Sequence, residues 1–266
     1  MTATSIDWPE IAFAPRSALV GVRTEIRLIP HLGEFDQAVL FKKRLDYETP
    51  VFCWLERNAV DYDLVIEIGA NIGVYSVFLD ALIKSRPDSR LKRVIAFEPA
   101  LGPFGRLLDN LKVNETHFVL PFRAAIANTT AFRSFFEPKD HLTNGSLVAQ
   151  FASIFSPEVL ETTVCTIGAG ELDYFFRTSE RVLVKVDVEG YEPDLMAAFK
   201  DIALRYRPDF RIEVLTGTAE ALDRLDYLHA YERFLLTPQG PVRRPKLGVD
   251  QHHRDWLLRL PASPAG

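Results

Sequence analysis

The chain has 266 residues, of which 47% are hydrophobic and 25% charged. This is ordinary globular composition, which excludes a disordered or fibrous chain and suits one α/β domain with a full core. A formal net charge of −5 argues against a general nucleic-acid binder, which would carry a basic surface. The start, Met1 to Glu10, lacks the basic residues and apolar core of a secretory signal, and no apolar run reaches membrane-spanning length. A cytoplasmic protein without membrane insertion is expected. Cys53 and Cys165 lie far apart and in no metal-ligand spacing, so they read as buried thiols in a reducing compartment.

Residues 1–60 are the least regular part. Short strands are expected at 18–22 and 24–29, a turn at 30–34, and a helix over 49–57 entered through Pro50. This region reads as a cap before the main sheet. Tyr47 and Glu48 stand just ahead of that helix and help to start it; lining a ligand cavity is the lesser alternative.

Leu64 to Ile68 then has the unbroken apolar character of a strand buried on both faces, interrupted only by Glu67. Val74, Val77, Phe78, Ala81 and Leu82 recur at helical spacing just after it. Gly69 to Gly73 is therefore a strand-to-helix turn. Glycine there accepts unusual backbone angles and lets a ligand lie against the main chain, beside the unpaired N–H groups that begin the helix. Only two of the three glycines of the dinucleotide fingerprint are present.

The second buried strand, 93–99, ends in Glu98, placed where a carboxylate accepts hydrogen bonds from ribose hydroxyls. An amphipathic helix follows over 101–114, with Phe104, Leu107, Leu108 and Leu111 on one face. A third strand over 118–126 ends near where an adenine would rest. Strands at 132–137 and 162–167 bracket a polar loop containing His141, Thr143, Asn144, Gly145 and Ser146. Leu172, Phe175 and Phe176 mark a short helix.

The strand 181–188 is apolar except for Lys185 and Asp187, and closes with Glu189 and Glu192. Charges in so apolar a strand are costly unless paired or facing a site, and the alternation of Lys185, Asp187 and Glu189 puts them on one face at one end. The structural alternative is an ion pair from Lys185 to Asp187 or Glu192 that only anchors the next helix. A helix over 192–206, a strand over 210–215, a helix over 219–228 and strands at 233–237 and 255–260 complete the pattern, with 241–246 a solvated loop and 261–266 a disordered tail.

Three blocks, Glu67-Ile-Gly-Ala-Asn-Ile-Gly-Val-Tyr-Ser76, Ala96-Phe-Glu-Pro99 and Val184-Lys-Val-Asp-Val-Glu-Gly-Tyr-Glu192, together resemble the FkbM family of S-adenosylmethionine-dependent methyltransferases. The resemblance covers about residues 47–215. It implies a Rossmann-like class I methyltransferase fold, with a mostly parallel sheet of seven strands whose last is antiparallel. The main domain would then span 61–260. It implies S-adenosylmethionine as cofactor and methyl transfer to a hydroxyl of a glycan or secondary metabolite. By position, Glu67, Gly69, Ala70, Asn71 and Gly73 would hold the methionine end of the cofactor, Glu98 and Pro99 the ribose, and Ala125 the adenine side. Asp187 and Glu189 would lie beside the methyl group or the acceptor. The family often has Asp where Glu67 stands.

Methyl transfer from a sulfonium requires alignment and removal of one acceptor proton. Asp187 and Glu189 are the first candidates for the base and His141 the alternative; no metal site is expected. The competing readings are a noncatalytic S-adenosylmethionine- or partner-binding module and a nicotinamide-dependent oxidoreductase. The cap and the loop 138–157 should shape the acceptor pocket, with His141, Phe151 and Phe155 in its wall. The identity of the acceptor and the oligomeric state stay open.

Overall fold

The computed structural model describes residues 14–141, 143–250 and 253–261. A hairpin of β1 (Arg16–Val20) and β2 (Thr24–Leu28) stands apart as its own two-stranded sheet. The main sheet contains β3 (Leu64–Ile68), β4 (Arg93–Phe97), β5 (Val119–Phe122), β9 (Val182–Val186), β10 (Asp209–Glu213), β11 (Glu232–Thr237), β12 (Gly240–Arg243) and β13 (Asp255–Arg259). A three-stranded sheet is made of β6 (Ala125–Ala127), β7 (Ala131–Pro138) and β8 (Val159–Gly168).

The main sheet has the order β12-β11-β13-β10-β9-β3-β4-β5. Its five strands from β10 to β5 are parallel, and β13 runs antiparallel between β10 and β11. The last strand in the chain is thus antiparallel, as the resemblance implies, and β12 adds an eighth strand at the edge. Three of the four residues of β12, Pro241 to Arg243, fall in the stretch read as a solvated loop. Gly240, with φ 112, turns the chain back on β11, and Pro241, which has no N–H to give, is tolerated because the strand lies at an edge.

Each face of the sheet carries an apolar cluster. Val65, Val94 and Leu183 pack with the β1–β2 hairpin, α1 (Thr49–Asn58) and α2 (Val74–Ser85). Leu64, Ile66, Ile68 and Val184 pack on the other side, with α6 (Glu192–Ala198) and α7 (Lys200–Tyr206). Between them in the chain lie α3 (Leu101–Val113), α4 (Ala149–Phe155) and the single turn α5 (Asp173–Phe176). The period-two alternation of β3 serves both clusters, which is why it reads as a continuous apolar run.

Three elements are shorter than expected. The strand 118–126 is split: β5 pairs with β4, whereas β6 leaves to run parallel to β8. The helix 192–206 breaks at Phe199, whose N–H is shared among earlier carbonyls as α6 ends and α7 begins. The helix 219–228 becomes α8 (Ala219–Asp223) and a separate tight turn over Asp226–Ala230. The thiols also differ from the expectation, because Cys53 is half-buried and Cys165 is exposed on β8. The expected tail, beyond Pro261, lies outside the described residues. Among the described residues no helix is long and apolar enough to cross a membrane.

Gly69 has φ 81, and a Cβ placed on it would lie 1.8 Å from the Asp187 carbonyl oxygen. Gly69→Ala should cost about 3 kcal/mol or more, through strain and overpacking together. Gly33 has φ 86, but a Cβ placed there would meet no atom within 4 Å. The same change at Gly33 should cost only about 1 kcal/mol. Denaturant unfolding of the two variants would check the contrast.

Candidate functional site

The turn after β3 is built from left-handed residues, Gly69 at φ 81, Asn71 at φ 53 and Gly73 at φ 82. The N–H groups of Gly69 and Ala70 both donate to the carbonyl of Phe97, at 3.0 and 2.9 Å, which splices the turn to the end of β4. Glu98, the next residue, accepts from Asn71 N through one oxygen and from Ala100 N through the other, each at 2.8 Å. One carboxylate thereby joins the glycine turn to the start of α3. Burial raises its pKa to about 7 in spite of those two donors.

The ends of β3, β4, β9 and β10 surround a cavity of about 940 Å3, counting its open mouth. Gly69, Ala70, Asn71, Glu98, Pro99, Ala125, Asp187 and Glu189 all line it. Glu67, Gly73 and His141 do not. Glu67 lies beneath the turn, where Ser76 Oγ donates to it at 2.5 Å and Lys185 Nζ stands 4.0 Å away. Its pKa rises to about 7 through burial, partly offset by Lys185. Gly73 is held close to α3, since a Cβ there would meet Leu107 Cδ1 at 2.3 Å. His141 is exposed, with its ring 6.1 Å from that of Phe155. Phe151 packs on Gly190 rather than lining the cavity.

In the sheet, Glu67 pairs with Lys185 and Lys185 with Arg211, so three charged side chains form one transverse row. Lys185 Nζ donates to the Gly69 carbonyl at 2.6 Å and lies 3.4 Å from Asp187 Oδ2. Arg211 Nη1 donates to the same oxygen at 3.2 Å. Burial alone would raise the Asp187 pKa, but Lys185 and Arg211 outweigh it and hold the group at about 2. The Lys185–Asp187 ion pair therefore exists, and Asp187 faces the cavity as well. Glu192 takes a different part, accepting from Val188 N and Gly190 N to fix the loop after β9.

Glu189 is placed by that loop rather than by strand alternation. Its backbone has φ 53, Ser146 Oγ donates to its carbonyl at 2.7 Å, and Asn144 Nδ2 donates to its carboxylate at 3.4 Å. Asn71 Nδ2 reaches the Thr143 carbonyl at 3.3 Å. The polar loop 143–146 thus docks on both the glycine turn and Glu189. Burial, then the nearby Asp187 and Glu192, push the Glu189 pKa up to about 8.

Four further residues belong to the site or its support. Tyr47 lines the cavity and stacks on Phe35 at 4.4 Å, so the lesser alternative for it is the one observed. Glu213 and Arg254 line the cavity side by side, with Arg254 Nε 2.7 Å from Glu213 Oε1. Arg211 lies behind the wall. Arg211 and Glu213 alternate with Phe210, Ile212 and Val214, which is the same signal that Lys185 and Asp187 give at the end of β9; extending that argument one strand further would have found them. Among the described residues no group of His, Cys, Asp and Glu is arranged to hold a metal ion.

The family model described as the methyltransferase FkbM domain matches residues 67–235. No curated protein matches the chain. Among solved structures, a methyltransferase FkbM from Methylobacillus flagellatus is 14% identical, with a TM-score of 0.45 over 75% of this chain and 43% of that one. The chain thus spans less than half the length of that relative. A precorrin-6y C5,15-methyltransferase from Geobacter metallireducens is 16% identical, with a TM-score of 0.42 over 79% of this chain and 85% of that one. An rRNA methylase from Streptococcus thermophilus is 13% identical, with a TM-score of 0.42 over 80% and 97%.

Burial, then Asp187 and Glu189, raise the Glu213 pKa from 4.5 to about 10. The fold therefore favours its protonated form, and that stability, complete below pH 4.5, is lost as pH rises toward 10. Glu213→Gln is neutral at every pH. Its melting temperature should fall less than that of the wild type between about pH 5 and about pH 9. Parallel curves would remove Glu213 from the pH dependence.

Proposed function

The chain belongs to the FkbM methyltransferase family, and from that premise we propose that it methylates a hydroxyl of a glycan or other metabolite at the cavity beside Gly69. The family's cofactor is S-adenosylmethionine. The residues present fit it: Gly69 leaves the cavity wall without a side chain at the turn, and Asn71 Oδ1 is buried with no hydrogen-bond partner among the described residues. Bound there, S-adenosylmethionine supplies a methyl carbon on a positive sulfur, so an acceptor lone pair forms the new bond while the carbon–sulfur pair stays with sulfur.

Gly69, Ala70 and Asn71 would hold the methionine end by their surface and carbonyls, since their N–H groups already donate to Phe97 and Glu98, and the fixed negative charge of Asp187 would suit its ammonium. Glu98 keeps lone pairs for ribose hydroxyls, since each oxygen accepts only one N–H. Pro99 and Ala125 wall the nucleoside side. The convergence of the glycine turn, Glu98 and Asp187 on one cavity is the observation that carries this reading.

Asp187 is too strongly ion-paired to accept a proton readily, and His141 stands outside the cavity. Glu189, with a pKa near 8, takes the acceptor proton, because a general base works best with its pKa near the operating pH. Glu213 and Arg254 give the cavity polar walls that suit an acceptor rich in hydroxyls. The net charge of −5 favours such an acceptor over nucleic acid, and we place the reaction in the cytoplasm. Residues 14–60 act as the cap through Tyr47, and the first 13 residues of the expected cap lie outside the described residues. Family membership leaves the nicotinamide alternative without support.

Calorimetric titration should show binding of S-adenosylmethionine and S-adenosylhomocysteine and none of NAD; binding of NAD alone would sink the proposal. Once an acceptor is in hand, Glu189→Gln should retain the cofactor affinity and lower kcat by roughly 10²–10⁴. Unchanged kcat would remove Glu189 from the proton transfer.

A further inference from the structure

Arg211 does not line the cavity, yet it is among the largest fully buried side chains of the protein. Its guanidinium reaches three carboxylates on three segments. Nη1 donates to Asp187 at 3.2 Å, and Nη2 donates to Glu48 at 2.5 Å and also to Asp255 at the start of β13. Of these three acids only Asp187 lines the cavity. Glu48 belongs to the cap, immediately after Tyr47, which does line it.

We propose that Arg211 is a positioning residue that couples the cap wall at Tyr47 to the carboxylate of Asp187. That Asp187 is a cofactor contact rests on the function proposed above; the coupling itself does not. Glu48 has φ 40 and ψ 40, a left-handed conformation that a residue with a side chain keeps only where its surroundings hold it. Its Oε2 is held by both Arg211 Nη2 and Tyr75 O–H, and the Tyr75 ring lies under both Arg211 and Lys185, at 5.4 and 4.9 Å. Releasing Glu48 frees the backbone that aims Tyr47. Releasing Asp187 leaves the same buried guanidinium short of an acceptor, which is costly enough to shift its other contacts. A planar fork with several fixed donors can serve both acids at once; an ammonium cannot reproduce that geometry.

Hydrogen exchange on the unliganded protein tests the coupling. Asp187→Asn should speed exchange several-fold across residues 47–52, and Glu48→Gln should speed it across 186–190, while the β11–β12 hairpin stays unchanged in both. Arg211→Lys should loosen both segments together. If that variant fails to fold, the first two decide the matter. Acceleration confined to the segment that carries each substitution would overturn the proposal, leaving Arg211 a strut between β10 and β13. In a parallel titration, Glu48→Gln should bind S-adenosylhomocysteine roughly five-fold or more weakly than the wild type, although Glu48 does not line the cavity; equal affinity would count against the coupling. Failure of the wild-type protein to bind S-adenosylhomocysteine would overturn the cofactor reading alone, since the exchange measurements need no ligand.

Discussion

The approach of β3 to β9 is the contact on which the site depends. Their parallel pairing brings the Gly69 turn so close to the Asp187 carbonyl that no side chain fits between them. Lys185 then ties the two strand ends from below, donating to the Gly69 carbonyl and lying beside Asp187 and Glu67. A glycine at the first position of the turn is therefore a packing requirement before it is a ligand-binding one. The same residue serves both, because a backbone stripped of its side chain on one side is also open on the cavity side.

Around that contact the protein buries more acid than base. Glu48, Glu67, Glu98, Asp187, Glu189, Glu213 and Asp255 cluster about Lys185, Arg211 and Arg254. The basic groups hold Asp187 firmly ionised, whereas burial lifts Glu67, Glu98, Glu189, Glu213 and Asp255 well above the usual carboxylate range. Among these acids Glu98, Asp187, Glu189 and Glu213 line the cavity, so this burial sets the charge of its wall. It also separates roles among chemically similar groups, with a fixed anion at Asp187 and a titratable acid at Glu189, because their neighbours differ.

Most of the residues that stand in local sequence patterns are gathered at the cavity. The strand β3, the glycine turn, Glu98 and the charged end of β9 stand in continuous apolar runs, and all but Glu67 and Gly73 of the residues those blocks suggest as cofactor contacts line the cavity. Glu67 is the instructive case. An acid inside a buried strand signals a partner, but alternation alone does not say whether that partner is a ligand above the sheet or Lys185 and Ser76 beneath the turn. His141 in the polar loop and Phe155 at the end of α4 face each other outside the cavity, since the loop's path is fixed by what it docks on, here Asn71 and Glu189.

Hydrophobic period and backbone sterics within a few residues set the order of elements, the turn that needs glycine, and the acids that end β4 and β9. Folding in three dimensions splits the strand after α3 between two sheets, extends the edge with β12, pairs Arg211 with Asp187, and brings Tyr47, Glu213 and Arg254 to the cavity that Asp187 lines. Those outcomes depend on pairing between residues far apart in the chain and on a buried guanidinium choosing among several carboxylates. Such a choice is set by geometry and desolvation in three dimensions, which no local pattern encodes.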